Sequence, residues 1–435
     1  MKRVLIIAYY WPPSGGSGVQ RWVKFCKYLP QEGWQPVVYT PANPEYTAVD
    51  ATLEAEVSPE TEVLRRPIAE PYALYRKLLG KSASGTVVTE ISSGRKNWKQ
   101  KLSLWIRGNL FVPDPRVGWV RPSVRYLKKY LREHPVDAVV TTGPPHSMHL
   151  IGLRLHRETG LPWMADFRDP WTKMYYLKHL SLTAATRRKL QRQEQAVLDG
   201  CNHVLAVTPL VQEDFRARTR TPVACITNGY DEEDFAGPAA EGDAGCFTLV
   251  HTGLFASDGN PLALWRVLGD MAAADADFRA ALRIRLAGKV DREVLAAAAD
   301  AGLSDNLVCL GYCDHAAAVR EQRSATLLLL PLRNDPEYRP ILPGKLFEYL
   351  AARRPVLGIG QKDGAMARVL AEASAGITAD WEEAGAMHAF LAQAWQDFRS
   401  GGVPACSGDI GRYARRALTR ELAALLEETL SENSF

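Results

Sequence analysis

The chain has 435 residues, enough for two ordinary domains, and its 46% hydrophobic and 23% charged residues are the balance of a soluble globular protein. No apolar run approaches the ~18 residues that a membrane span requires, which excludes a spanning helix. The formal charge of +4 hides an asymmetry, because residues 76–132 hold fourteen Lys and Arg against two acids, Glu90 and Asp114.

Residues 4–8 are an apolar run too short for the core of a secretory leader, and they read as the first buried strand of a parallel sheet. A glycine loop, Ser14-Gly15-Gly16-Ser17-Gly18, then opens a helical pattern through Val19, Trp22, Val23 and Cys26. Strand, glycine loop and helix in that order make a phosphate or sugar cradle, since glycine lets the backbone come close to a ligand. A dinucleotide fingerprint fits badly: Arg21 stands where a third glycine belongs, and the next strand ends in Thr40-Pro41 with no acid for a ribose. Arg21 and Lys24, one turn into the helix, are either ligand-facing or its solvated side. Seven cysteines without a C-x-x-C pair indicate a reduced, cytoplasmic protein. Cys309, Cys313 and His315 lack a second ligand pair at zinc-site spacing, so no metal site is expected.

Within 76–132 the positive charge is mixed with Trp98, Trp105, Leu110 and Phe111, and residues 99–107 read as a basic amphipathic helix of the kind that lies in a lipid headgroup layer. A plain solvated surface is the alternative; nucleic acid is not expected, because no recognition motif accompanies the patch. The strand at 136–141 runs into Gly143-Pro144-Pro145-His146, which places His146 in a loop after a strand's carboxyl end, where parallel sheets carry their ligands. The strand at 162–165 ends in Asp166-Phe167-Arg168-Asp169-Pro170-Trp171. Carboxylates beside an Arg at such a position serve either a ligand or one another.

Alternation of helix and strand continues to Thr227, and a Gly, Ala and acid rich stretch then marks a domain boundary. The second half repeats the design of the first, beginning with a strand at 247–252 and Gly253, with further strands at 283–287, 307–310, 326–330 and 356–359. Pro343-Gly344-Lys345-Leu346-Phe347-Glu348-Tyr349-Leu350 reads as a helix opened by proline, with Leu346 and Leu350 on its apolar face. Its N-terminus and Lys345 favour an anion, while Glu348, one turn on, is placed to accept the two hydroxyl hydrogens of a ribose. A surface helix with a solvated Lys and Glu is the plainer alternative.

The Pro-Gly-Lys-Leu-Phe-Glu-Tyr-Leu-Ala stretch, followed by Arg354-Pro355-Val356-Leu357, resembles the nucleotide-sugar motif of the bacterial family 4 glycosyltransferases, and the Asp-Phe-Arg-Asp-Pro-Trp run resembles the acceptor-side loop of their exopolysaccharide-type members. The resemblance implies an α/β protein of the GT-B fold, two Rossmann-like doubly wound domains facing a cleft. The N-terminal, acceptor-binding one would span 1–228 and the nucleotide-sugar-binding one 229–408, with a helix at 409–432 returning to the first. By resemblance, Glu348 matches the later Glu of a Glu, seven residues, Glu pattern and holds the donor ribose; the earlier position is Pro340, and Glu337 is a substitute from a shifted loop. Gly16 and Gly18 then lie beside the donor, His146 contacts sugar hydroxyls, and Asp166 or Asp169 orients an acceptor hydroxyl.

Family members usually carry two cations after the first strand of the second domain, whereas the loop at Gly253 has none. Lys345, Lys289 or Arg21 must then meet the diphosphate, with Gly344 and Leu346 completing the helix head. With no Asp-x-Asp motif at a strand end, neither metal nor cofactor is expected, and Lys345 is favoured as the charge. The implied activity is glycosyl transfer, with retention, from a nucleotide-sugar to a lipid-linked or polysaccharide acceptor. The protein would be cytoplasmic and peripheral on the inner membrane face, held to anionic lipid through 76–132. The rivals are a nucleotide-sugar epimerase of the same architecture and a non-catalytic membrane-associated sugar-binding or scaffold protein.

Overall fold

A computed structural model describes all residues except Gly16, 46–48, 71–97, 175, 176, 179, 238–244 and 433–435. The chain forms two compact units, Met1–Thr227 together with Arg415–Phe435, and Asn228–Ala414.

In the first unit the strands are β1 Lys2–Ile7, β2 Trp34–Pro41, β3 Glu62–Arg66, β4 Ala138–Gly143, β5 Trp163–Phe167, β6 His203–Ala206 and β7 Val223–Cys225. They make one sheet in the order β3-β2-β1-β4-β5-β6-β7, parallel throughout. The apolar run of β1 is explained by burial on both faces. Leu5 and Ile7 enter one core with the helices Val120–Glu133, Ser147–Thr159 and Ala184–Leu198, while Val4 and Ile6 enter another with the helices Ser17–Tyr28 and Arg415–Glu432. The last helix supplies Leu418, Leu422 and Leu426 to that second core, so it covers the sheet beside Trp22 and Val23.

In the second unit β8 Phe247–Thr252, β9 Leu282–Ala287, β10 Leu307–Gly311, β11 Leu327–Pro331, β12 Val356–Ile359 and β13 Gly376–Ala379 form a parallel sheet in the order β10-β9-β8-β11-β12-β13. Both sheets are doubly wound, as the alternation of the sequence predicts. Strand order reverses at β1 and β4 in the first and at β8 and β11 in the second, and the carboxyl ends of those strand pairs are where such sheets bind ligands. The sequence reading misses β3 and β13. Both are edge strands with part of their surface in water, so they lack the continuous apolar run of a central strand.

Candidate active site

The helix Gly344–Ala351 does begin directly after Pro343, which supplies the N-cap without a side-chain bond. Its apolar side, Leu346, Phe347, Tyr349 and Leu350, is buried. The Tyr349 hydroxyl accepts the Thr252 N–H at 2.9 Å, which fastens the helix to the carboxyl end of β8. The next residue, Gly253, has φ +97°, a left-handed conformation suited to glycine, and a Cβ there would stand 2.7 Å from the Lys345 Nζ. The bare backbone of Gly253 is therefore what lets the Lys345 ammonium lie over the β8 loop. Gly288, at the end of β9, has φ +124°, and a Cβ on it would meet the Gly253 carbonyl oxygen at 2.3 Å. Two bare glycines thus form the floor beneath the lysine.

Burial lowers the Lys345 pKa to about 8, against the pull of Glu348, which raises it. His251, buried behind the same loop, is lowered to about 3 by burial and by Lys345, so it stays neutral and its Nδ1 bonds the Leu329 carbonyl at 3.0 Å. Glu348 is half-buried, and its Oε2 accepts from the Gln322 Nε2 at 2.8 Å. Gln322 is fully buried and also bonds the Thr252 hydroxyl at 3.1 Å. One carboxylate oxygen is consequently fixed, while the other has no hydrogen-bond partner among the described residues. Leu346 is wholly buried and its N–H already bonds the Pro343 carbonyl, so only the N–H groups of Gly344 and Lys345 head the helix. Lys289 is exposed on the loop after Gly288. Glu337 is also exposed, in the short turn after β11, with its N–H capped by Asp335 at 3.0 Å.

In the first unit the residues at the corresponding sheet edge form a different kind of cluster. Asp166 is fully buried and accepts from the Arg21 Nη2 at 2.9 Å, the Trp22 Nε1 at 2.8 Å and the Thr142 hydroxyl at 2.8 Å. Arg21, equally buried, spends its remaining reach on the Thr227 carbonyl at 2.8 Å. Burial pushes the Asp166 carboxyl up, but the Arg21 charge and these donors outweigh it and hold the group below its ordinary value. Arg21 and Asp166 therefore satisfy one another and present no surface to a ligand, unlike the donor and acceptor roles expected of them. Asp169 is half-buried and burial raises it to about 6, with Arg168 opposing.

His146 is buried, its ring stacked on Trp171 at 4.6 Å, and burial, His149 and Arg168 lower its pKa well below the usual value. Neither of its ring nitrogens has a hydrogen-bond partner among the described residues. It flanks a cavity of about 140 Å³ bounded also by Tyr10, Pro145, Trp171 and Leu180. Gly16 lies outside the described residues. Gly18 faces Arg168 so closely that a Cβ would fall 1.7 Å from its Nη1.

The side chains that residue-by-residue reading passes over are Gln322 and Arg168. Arg168 follows β5, bonds the Gly143 carbonyl through its N–H at 2.9 Å and the Pro144 carbonyl through its Nη2, and reaches Gly18, so it spans the carboxyl ends of three strands. Its place within Asp-Phe-Arg-Asp was the available signal. Gln322 left none, since a polar residue on a surface-patterned helix is unremarkable until its packing is known.

The family model described as Glycosyltransferase Family 4 matches residues 86–234, about a third of the chain, a span that holds His146, Asp166 and Asp169 but not Lys345 or Glu348. No curated protein matches the chain in sequence. Among solved structures, the sucrose-phosphate synthase of Thermosynechococcus elongatus is similar over 100% of this chain and 98% of its own, at TM-score 0.55 and 14% identity. Anabaena HepE, solved in complex with UDP-glucose, is similar over 100% and 98%, at TM-score 0.57 and 12% identity. A putative UDP-N-acetylglucosamine 2-epimerase from Listeria monocytogenes is similar over 99% and 97%, at TM-score 0.55 and 11% identity. Identities this low speak for the fold alone, and the epimerase shares it. The two doubly wound sheets are those of the GT-B fold, and residues 86–234, most of them in the first unit, match the Glycosyltransferase Family 4 model.

Proposed function

We propose that the enzyme moves a sugar from a nucleotide-sugar to a lipid-linked or polysaccharide acceptor, with the donor's nucleotide held in the second unit by Lys345 and Glu348. The observation that carries this reading is the pair itself, a cation over the bare Gly253 loop and a carboxylate with one oxygen pinned by Gln322, both on one helix head. The ammonium and the N–H groups of Gly344 and Lys345 suit a diphosphate, and the open Glu348 oxygen suits a ribose hydroxyl. That HepE, similar in fold, is known with UDP-glucose supports the donor class.

In the transfer, the bond from the anomeric carbon to the diphosphate oxygen breaks and one to the acceptor oxygen forms. The acceptor's proton leaves with the nucleotide or to solvent. Charge growing on the diphosphate is met by Lys345, electrostatic stabilisation already in place before the bond breaks. Retention of configuration is part of the reading.

Thermal-shift titration with UDP, GDP and ADP tests nucleotide binding, and stabilisation by none of them overturns it in favour of a scaffold. Free nucleotide released only when an acceptor is present separates transfer from epimerisation. Because Lys345 titrates near pH 8, nucleotide affinity is expected to fall as the pH rises from 7 to 9 and the ammonium is lost. Folding stability should move the other way. The folded lysine is depressed below its unfolded value near 10.5, so the unfolded chain binds more protons between those values and the lysine's contribution to stability rises with pH. Calorimetry across that range checks the first trend, and a flat profile removes Lys345 from the site.

Peripheral attachment to the inner membrane face is supported by the helix Trp98–Leu110. Trp98, Leu102 and Trp105 are exposed by 69%, 45% and 41%, and at 100° per residue they share one stripe opposite the buried Leu104. Among the described residues no helix is long and apolar enough to cross a membrane, so docking would be interfacial. The basic residues 76–97 assigned to this patch lie outside the described residues. Sedimentation with vesicles containing phosphatidylglycerol should be lost in Trp98→Ala with Trp105→Ala; undiminished binding sinks this attachment.

A further inference from the structure

We infer that a groove between the helix Ala184–Leu198 and the loop at residues 216–221 seats the phosphates of anionic lipids, beside the apolar stripe of the helix Trp98–Leu110. The inference builds on the proposed membrane docking and assigns it a second element that the sequence pattern of 76–132 does not contain.

Two adjoining hollows of about 480 and 640 Å³ share Gln195 and Arg218 as a common wall. Lys173, Arg188 and Arg192 line the first, and Arg216 and Arg220 the second. Arg188 and Arg192 are exposed, one helical turn apart, and among the described residues neither has an ion-pair or hydrogen-bond partner. Arg220 is exposed on the facing loop. Arg218 is held between them by Glu194 and by Asp214, the latter at 3.2 Å, and Lys173 also pairs with Asp214. Asp199, exposed on the wall of the second hollow, accepts from the Gln195 Nε2 at 2.9 Å and from the Thr219 hydroxyl at 2.7 Å, so cations outnumber acids in the lining and Arg188, Arg192 and Arg220 leave the rim positive on balance. On the helix Ala184–Leu198 itself the basic residues are Arg187, Arg188, Lys189 and Arg192, and its one acid, Glu194, is fully buried.

Two features select lipid phosphate as the occupant. First, guanidinium forks at helical spacing match phosphate oxygens, and the lining contains no aromatic ring on which a base would stack, which disfavours single-stranded nucleic acid. Second, this helix abuts the one with the exposed stripe. The Asn109 Oδ1 accepts from the Thr183 N–H and the Thr186 hydroxyl, each at 2.8 Å, and a Cβ on Gly108 would fall 2.8 Å from Leu182. The helix of the exposed tryptophans thus meets the helix of the unpaired arginines at Asn109 and Thr186, and that combination of side chains is one an anionic bilayer surface attracts.

The test is sedimentation of the full chain with phosphatidylcholine vesicles carrying phosphatidylglycerol, at low salt. Arg188→Gln with Arg192→Gln should weaken partitioning roughly tenfold or more, since each cation near an anionic surface contributes separately. Arg154→Gln with Arg157→Gln, the same charge loss on the helix Ser147–Thr159, should leave it nearly unchanged. Nucleotide-induced stabilisation should persist in both variants, which shows that they fold. Equal weakening by the two pairs, or none by the first, overturns the groove while leaving the tryptophan docking in place. A single-stranded oligonucleotide that binds more tightly than the vesicles, with the same loss in the first variant, overturns the choice of occupant. No vesicle binding by the unaltered chain overturns both docking proposals, and the nucleotide reading stands or falls separately on its thermal shift.

Discussion

Replacing Glu348 by Ala should weaken nucleotide binding more than tenfold in calorimetry, because charge-assisted hydrogen bonds of the kind a ribose makes to a carboxylate contribute about 1.5–3 kcal/mol each. The neighbouring Gln322 sharpens the experiment. Its Nε2 holds one oxygen of Glu348 at 2.8 Å and the Thr252 hydroxyl at 3.1 Å, so it positions the carboxylate without any surface of its own to touch a ligand. Gln322→Glu puts a second carboxylate against the first and should raise the pKa of the pair, making nucleotide affinity improve as the pH rises through it, the opposite direction to the fall that Lys345 gives the parent between pH 7 and 9. A purely structural glutamine would lower the melting temperature without bending that profile. Unchanged affinity in Glu348→Ala refutes the ribose assignment.

Removing the Asp166 carboxylate should destabilise the first unit by about 3–5 kcal/mol, the usual consequence of leaving a buried partner charge unpaired. Net stabilities of folded domains are on the order of 5–15 kcal/mol, so Asp166→Ala is expected to show a large fall in melting temperature. The cause is that Arg21, Trp22 and Thr142 all converge on that carboxylate, and Arg21 also secures the Thr227 carbonyl at the point where the chain leaves the unit. Arg21→Met combined with Asp166→Leu should be less damaging than Asp166→Ala alone, since no charge is then stranded. The sign of the pH effect follows from the depressed carboxyl. Its contribution to stability is complete above the unfolded carboxylate pKa and is lost as the pH falls towards the lower folded one. A normal melting curve with lost turnover in Asp166→Ala would instead restore Asp166 as an acceptor group.

These two carboxylates show how far a linear reading reaches. Glu348 stands on a helix whose start, apolar face and charge placement are all local properties, so its position at a helix head was legible from Pro343 to Leu350. Asp166 was legible as an acid at a strand's end, but its partner lies 145 residues away, and no spacing rule links Arg21 to it. The same holds for Lys345 over Gly253 and for Gln322 beneath Glu348, contacts made across 92 and 26 positions. From the sequence, Arg21 is either ligand-facing or on the solvated side of its helix, because a charged side chain one turn into a helix usually reaches water; here the packing of Trp22 and the sheet closes over it.

Central strands, the repeated strand-loop-helix design and the positive belt follow from the order of the residues, because burial on both faces demands unbroken apolar runs and charge is additive along a chain. Which cations remain free, which carboxylate is consumed by its neighbours, and that the helix carrying Arg188 and Arg192 meets the tryptophan-bearing one were decided only when the chain folded. Ion pairing and desolvation depend on distances through space, and those distances join residues that the sequence keeps far apart.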